Sequence, residues 1–234
     1  MRVYISPSGQ AYNKYAAGNT TEAEQCRRIG NACFAALLRS GVEVKISPPG
    51  MSTENAVVDS NNYKPDYHVC IHTNAISGDN SKPSAQGAVV FTSKKNIDSP
   101  VAYTVLDALN TLKGKKSLYG VRSNSLYEIN RTTAKCIYIE AEFHDNAELA
   151  LWIIGNADKI GEAIAEGICV GSGIKFVPKE SETEKYRRLA IEQGIIKGFD
   201  DGDYRWGEAV TRSQLCTILG RLGLLNEQIF IFSA

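Results

Sequence analysis

Between residues 2 and 170 the chain alternates short apolar runs with longer stretches in which apolar residues recur every three or four positions. Runs of the first kind suit buried strands, and stretches of the second kind suit amphipathic helices. A chain that interleaves the two has few ways to fold. Its helices must pack on the faces of a sheet, and strands joined through helices run mostly parallel. The expected class is α/β, a mixed, mostly parallel sheet flanked by helices.

Local signals place the pieces. Residues 2–6 read as a first strand, followed by a Gly/Asn/Ser-rich loop to about residue 20. Thr21 can cap a helix whose first turn holds Glu22 and Glu24, with Ile29, Cys33, Ala36 and Leu37 on its inner face. Gly41 stops that helix, and residues 42–46 form a second strand. A short helix is expected over residues 52–61, and strands over 67–72 and 88–92. Pro100, at the first position of a helix, starts a run to about residue 112. Residues 134–143 form a long strand, and residues 146–170 a long amphipathic helix.

At Gly171-Ser172-Gly173 the pattern breaks, and a linker runs to Pro178. Two short helical patterns follow, one ending at Gly194 and one opening at Thr211 with Gln214 three residues on, a capping box. The expected organisation is a domain over 1–174 and a small helical module over 175–234.

Composition excludes some functions. Lys plus Arg and Asp plus Glu each number 26, so the formal charge is zero and nucleic-acid binding finds no support. The N-terminus lacks the apolar core of a signal peptide, and no apolar run reaches the ~20 residues that span a bilayer. Synthesis in the cytoplasm is the corresponding expectation. The six cysteines form no CxxC pair and mostly sit inside apolar patterns, so they read as reduced core residues.

Few residues are suited to chemistry. The histidines are His68, His72 and His144. His72 ends a strand, where a side chain can point into a cleft. His68 shares its face but lies about 13 Å away along a regular strand, too far to bind the same metal, and reads as a core histidine. Glu140 and Glu142 lie on one face of an otherwise apolar strand. A carboxylate there is costly unless it is paired or serves a purpose. For Glu142 the plain reading is a salt-bridged glutamate at a sheet edge.

These pieces resemble the N-acetylmuramoyl-L-alanine amidase 3 family of bacterial autolysins and phage endolysins. The resemblance rests on Ile5-Ser6-Pro7-Ser8-Gly9-Gln10, on the helix opening at Glu22, on Val69-Cys70-Ile71-His72-Thr73-Asn74-Ala75 and on Tyr138-Ile139-Glu140-Ala141-Glu142-Phe143-His144. It covers about residues 1–175. It implies a zinc-dependent enzyme that hydrolyses the amide between muramic acid and L-alanine in peptidoglycan. The metal would be held by Glu22 and His72, and Glu140 would be the general base acting on a metal-activated water. Counted back from the helix-ending Gly41, the family spacing points to Glu22 rather than Glu24. Asn74 and His144 are implied as substrate or oxyanion contacts.

The first loop departs from the family pattern, with Gln10 where a histidine ligand is expected. A variety of the family carries glutamine in this loop. Three readings stand open: Gln10 as the third metal ligand through its amide oxygen, Gln10 holding a metal-bound water, or His144 as the third ligand. A neutral amide is a poorer zinc ligand than imidazole. The missing histidine also motivates an alternative, a metal-free wall-binding protein on an amidase-like fold. A thiol nucleophile at Cys136 or Cys26 is a weaker rival, lacking an oriented base.

The C-terminal module, from Ala190-Ile191-Glu192-Gln193-Gly194 to Val210-Thr211-Arg212-Ser213-Gln214, resembles a single S-layer homology repeat. That implies binding of wall polymers or, alternatively, formation of a homodimer. An endolysin or spore lysin that reaches the wall after release fits a chain without a leader.

Overall fold

In the computed structural model, which describes residues 1–76 and 85–225, six strands form one sheet. They are β1 (Arg2–Pro7), β2 (Glu43–Ile46), β3 (Tyr67–Asn74), β4 (Val89–Thr92), β5 (Gly120–Ser123) and β6 (Lys135–Phe143), in the spatial order β2-β1-β3-β6-β4-β5. Strands β2, β1, β3 and β6 run parallel; β4 is antiparallel to β6, and β5 is parallel to β4. The sheet is thus mixed and mostly parallel. Two elements were not anticipated from the sequence: the four-residue β5 and the five-residue helix α4 (Tyr127–Arg131).

The two faces of the sheet differ in chemistry. Successive side chains on a strand alternate between faces. Val3, Ile5, Val69, Ile71, Ile137 and Ile139 are fully buried and join one apolar core. Helices α1 (Glu22–Arg39), α3 (Pro100–Lys113) and α5 (Ala147–Gly171) cover that face. Burial of each large aliphatic side chain contributes roughly 1.5–3 kcal/mol. The alternate positions are Tyr4 and Ser6 on β1, His68, Cys70 and His72 on β3, and Cys136, Tyr138 and Glu140 on β6. On this polar face lie α2 (Thr53–Tyr63) and α4, which pack on each other and on β1 and β6 respectively.

Helix α1 begins where its capping residues dictate. Thr21 Oγ1 accepts from Glu24 N, and the Glu24 carboxylate accepts from Thr21 N. Glu24 is spent on this reciprocal cap. Glu22, two residues earlier in the first turn, is left to point inward.

Glycines on α5 set how closely its neighbours approach. A methyl group at Gly161 would overlap the carbonyl of Ile29 and come within 2.8 Å of Cys33 N on α1. At Gly167 it would meet the Val105 and Thr104 backbone of α3. Neither helix can retreat without opening the core.

The chain divides into two compact units, Met1–Lys179 and Glu180–Ala234. In the second, α6 (Glu182–Glu192) and α7 (Arg212–Arg221) each start from a capping box, Ser181 with Glu184 and Thr211 with Gln214. Neither helix contains a buried residue. Tyr204 stacks on Trp206 with ring centroids 5.4 Å apart. No helix among the described residues is long and apolar enough to cross a membrane. Five cysteines are buried as free thiols and Cys216 is exposed.

Gly161→Ala and Gly167→Ala should each lower the unfolding free energy by about 2 kcal/mol or more. Gly155, exposed on the same helix with nothing near its missing methyl, is the internal control. Gly155→Ala should stabilise by about 0.5–1 kcal/mol, because alanine is the better helix residue. Equilibrium denaturation checks all three; a tolerated alanine at 161 would contradict the close helix packing.

Candidate active site

Register brings the first two residues together. Strands β3 and β6 pair so that His68 faces Cys136, Cys70 faces Tyr138 and His72 faces Glu140. The pairing then slips between His72 and Asn74. His72 and Glu140 are therefore neighbours on adjacent parallel strands, at the last regular rank before the sheet opens. In open α/β sheets such strand ends line the ligand crevice.

The N-terminus of α1 supplies the third residue. Glu22 is buried, and its Oε1 lies 2.9 Å from His72 Nδ1. Asn13 Nδ2 donates to Glu22 Oε2 at 2.7 Å and to Gln10 Oε1 at 2.8 Å. Tyr12 donates its hydroxyl to the same Gln10 oxygen at 3.0 Å. Gln10 Nε2 stands 3.4 Å from His72 Nδ1. So Gln10 reaches the Glu22–His72 pair but turns its nitrogen toward it, with its oxygen held by two donors.

A fourth residue escaped sequence reasoning. Glu128 on α4 is buried, with Oε2 3.9 Å from His72 Nε2 and Oε1 3.1 Å from His68 Nε2. Ser6 donates to Oε1 at 2.6 Å. The only sequence signal for it was a glutamate between Leu126 and Ile129 in a stretch without periodicity.

Electrostatics follow from this crowding. Burial alone would lower the pKa of His72, but Glu128, Glu22 and Glu140 favour the imidazolium and raise it to about 9. Burial would raise Glu22, yet the hydrogen bond and charge of His72 hold it below the ordinary carboxylate value. Glu128 is also pushed up by burial and pulled well below the ordinary value by His68, His72 and Ser6. Glu140 behaves differently. Burial pushes it up, His72 pulls it down, Glu22 pushes it up again, and it rests at about 7. Its Oε2 is buried and has no hydrogen-bond partner. A carboxylate poised near neutrality with one unsatisfied oxygen is suited to taking and returning a proton.

The other expected residues keep different company. Asn74 accepts from the next backbone amide, Ala75 N, at 2.8 Å. His144 stacks on Tyr15 at 5.0 Å, and its Nδ1 is 2.9 Å from Thr73 Oγ1. Neither is hydrogen-bonded to the Glu22–His72 pair. Glu142 is structural: it accepts from Gly87 N and Phe143 N and pairs with Lys113 Nζ at 3.1 Å. His68 is a core histidine, fully buried.

At these strand ends a carboxylate–imidazole pair stands beside a separate near-neutral glutamate on an α/β sheet. The chain belongs to the N-acetylmuramoyl-L-alanine amidase family (Amidase_3), whose model matches residues 4–170. Several solved structures share the fold. The amidase AmiC2 of Nostoc punctiforme is 20% identical with a TM-score of 0.64, covering 74% of this chain and 97% of that one. The catalytic domain of the amidase CwlV from Bacillus (Paenibacillus) polymyxa var. colistinus is 18% identical with a TM-score of 0.63, covering 74% and 99%. An amidase from Clostridium difficile 630 is 22% identical with a TM-score of 0.63, covering 73% and 94%. No curated protein sequence matches the chain. The family places it among the hydrolases that degrade peptidoglycan.

The raised pKa of Glu140 has a consequence for the metal-free protein. Between pH 4.5 and about 7 the folded state holds a proton that the unfolded state has lost. Stability from that proton is complete below pH 4.5 and is lost as pH rises through 7. Glu140→Gln mimics the protonated form permanently. In chelator-treated protein the variant should therefore outlast the parent by about 1–3 kcal/mol at pH 8, the gap shrinking toward pH 5. Thermal melts across that range check it; a gap independent of pH would show that Glu140 is not the strained carboxylate.

Proposed function

We propose that this chain hydrolyses the amide between N-acetylmuramic acid and L-alanine of peptidoglycan, with Glu140 as general base and a zinc ion held by Glu22, His72 and Gln10. The observation that carries the reading is the buried, partnerless Oε2 of Glu140 beside a Glu22–His72 pair only 2.9 Å apart. The donor set fits a divalent ion of this kind. Imidazole nitrogen and carboxylate oxygen are ordinary zinc ligands. Their present contact is one that an ion between them would replace. Gln10 would complete the set by turning its amide, so that its oxygen gives up Tyr12 and Asn13 as partners.

When bound, zinc supplies a lowered water pKa and stabilisation of the oxyanion. The protein's residues do the rest. Glu140, near neutrality, takes a proton from the attacking water and returns it to the leaving L-alanine nitrogen. Tyr138 stacks on the His72 ring at 4.4 Å and fixes its plane. Asn13 holds the Glu22 carboxylate in place. The charge of Glu128, whose Oε2 is 3.9 Å from Nε2, favours the proton on that nitrogen and leaves Nδ1 for the ligand role.

Purified cell walls incubated with the protein should release new amino termini, and Glu140→Gln should cut that rate by about a hundredfold or more while keeping the metal. His72→Ala should lose metal and activity together. Retained release by Glu140→Gln would remove Glu140 as base. A parent protein that binds walls without cutting them, and carries no metal, would leave a wall-binding protein on an amidase fold.

Gln10 yields its own prediction. Gln10→His puts imidazole in place of a neutral amide and should tighten zinc binding by about tenfold or more. Competition against a fluorescent chelator measures this, and an unchanged affinity would show that residue 10 is not a ligand.

A further inference from the structure

Deeper on the polar face of the sheet lies a second set of metal-binding side chains, of which the proposed reaction uses only Glu128, as the carboxylate that faces His72. His68, Cys70 and Glu128 each bring one ligand atom within 4.8 Å of the other two. Among the described residues this is the one group of three such ligand atoms so close together. Cys136, opposite His68 on β6, adds a thiol whose Sγ is 3.6 Å from Cys70 Sγ. His68 and Cys70 are fully buried, Cys136 is 1% exposed and Glu128 is 5% exposed.

The spacing suits an ion. Tetrahedral zinc bonds of ~2.0–2.1 Å separate a nitrogen and an oxygen by about 3.3 Å. Here His68 Nε2 lies 3.1 Å from Glu128 Oε1, and Cys70 Sγ is within 4.8 Å of both donors. The outer partners are also in place. His68 Nδ1 is 2.8 Å from Ser60 Oγ, and Ser6 donates to Glu128 at 2.6 Å. Metal-bound imidazoles and carboxylates are usually oriented by such second bonds. A plain hydrogen-bonded core accounts for His68, Glu128 and the two serines. Cys70 adds a thiol within reach of both donors, and its hydrogen bond to Cys136 at 3.6 Å would give way to the ion.

We propose that His68, Cys70 and Glu128 form a second site for a soft divalent cation such as zinc, distinct from the Glu22–His72 site. Loading releases the Cys70 thiol proton to solvent, and neutral His68 binds through Nε2 with its proton on Nδ1, toward Ser60 Oγ. All three ligands are buried, with Glu128 on α4, so the site's role is structural. Its Glu128 is also the carboxylate that faces His72, so the ion would hold the second-layer support of the catalytic histidine.

Sulfur separates the two sites experimentally, because Glu22, His72 and Gln10 contain none. The full chain is produced in cells grown on cobalt-supplemented, zinc-depleted medium and purified. The expected result is two cobalt ions per chain and an intense near-ultraviolet thiolate-to-cobalt absorption. Cys70→Ala should lose that absorption and one equivalent of cobalt. Glu22→Ala should lose one equivalent and keep the absorption. If Cys70→Ala does not fold, the parent protein decides alone. Absence of the absorption, with Cys70 and Cys136 titrating as free thiols after denaturation, overturns the site. So does an absorption that persists in Cys70→Ala.

Discussion

The pairing of β3 with β6 is the constraint from which the site follows. A parallel register that sets His72 against Glu140 also sets Cys70 against Tyr138 and His68 against Cys136. A slip of one residue would move each of these side chains to the other face and bring valines and isoleucines in their place. The apolar face forbids that slip, since Val69, Ile71, Ile137 and Ile139 must stay under α1, α3 and α5. Packing on one side of the sheet thus fixes chemistry on the other. Helix α1 then closes the arrangement, because its capping box sets where the helix starts and hence where Glu22 points.

That coupling explains which parts were legible in the sequence. Alternation along β6 exposed Glu140 and Glu142 as anomalies in an apolar run. It did not distinguish them, because the distinction lies in partners far along the chain: Gly87 N and Lys113 for Glu142, none for Oε2 of Glu140. Glu22 was legible for a local reason, since Glu24 sits at the capping-box position. Glu128 was not. It lies on a helix of five residues, too short to show a period, and its importance comes from His68 and His72, about 60 residues away. Strand β5 was missed for a similar reason, as four residues of mixed character carry no pattern.

The polar face carries a cost that the apolar face must offset. Glu22, Glu128 and Glu140 cluster around a single imidazole, with His68 beyond it. Buried carboxylates are unfavourable unless paired. Glu22 and Glu128 satisfy the rule and titrate low; Glu140 does not and titrates near neutrality. Strain concentrated on one side chain amid otherwise satisfied neighbours is the pattern expected where proton transfer takes place, since a fully paired glutamate would be too weak a base.

The same charge count bears on Gln10. In the metal-free state three carboxylates face one imidazolium, and the proton on His72 is the compensation the chain itself supplies. A divalent ion in the Glu22–His72 contact would replace that single positive charge with two. A histidine at position 10 would add a ligand but also compete for protons with His72 in the same crowded pocket. Glutamine adds an oxygen donor without a proton to lose. Its oxygen accepts from Asn13, the residue that also donates to Glu22, so the amide must turn before that oxygen can reach an ion. If residue 10 is a ligand, glutamine would exchange ligand strength for a neutral group tied through Asn13 to the carboxylate beside it.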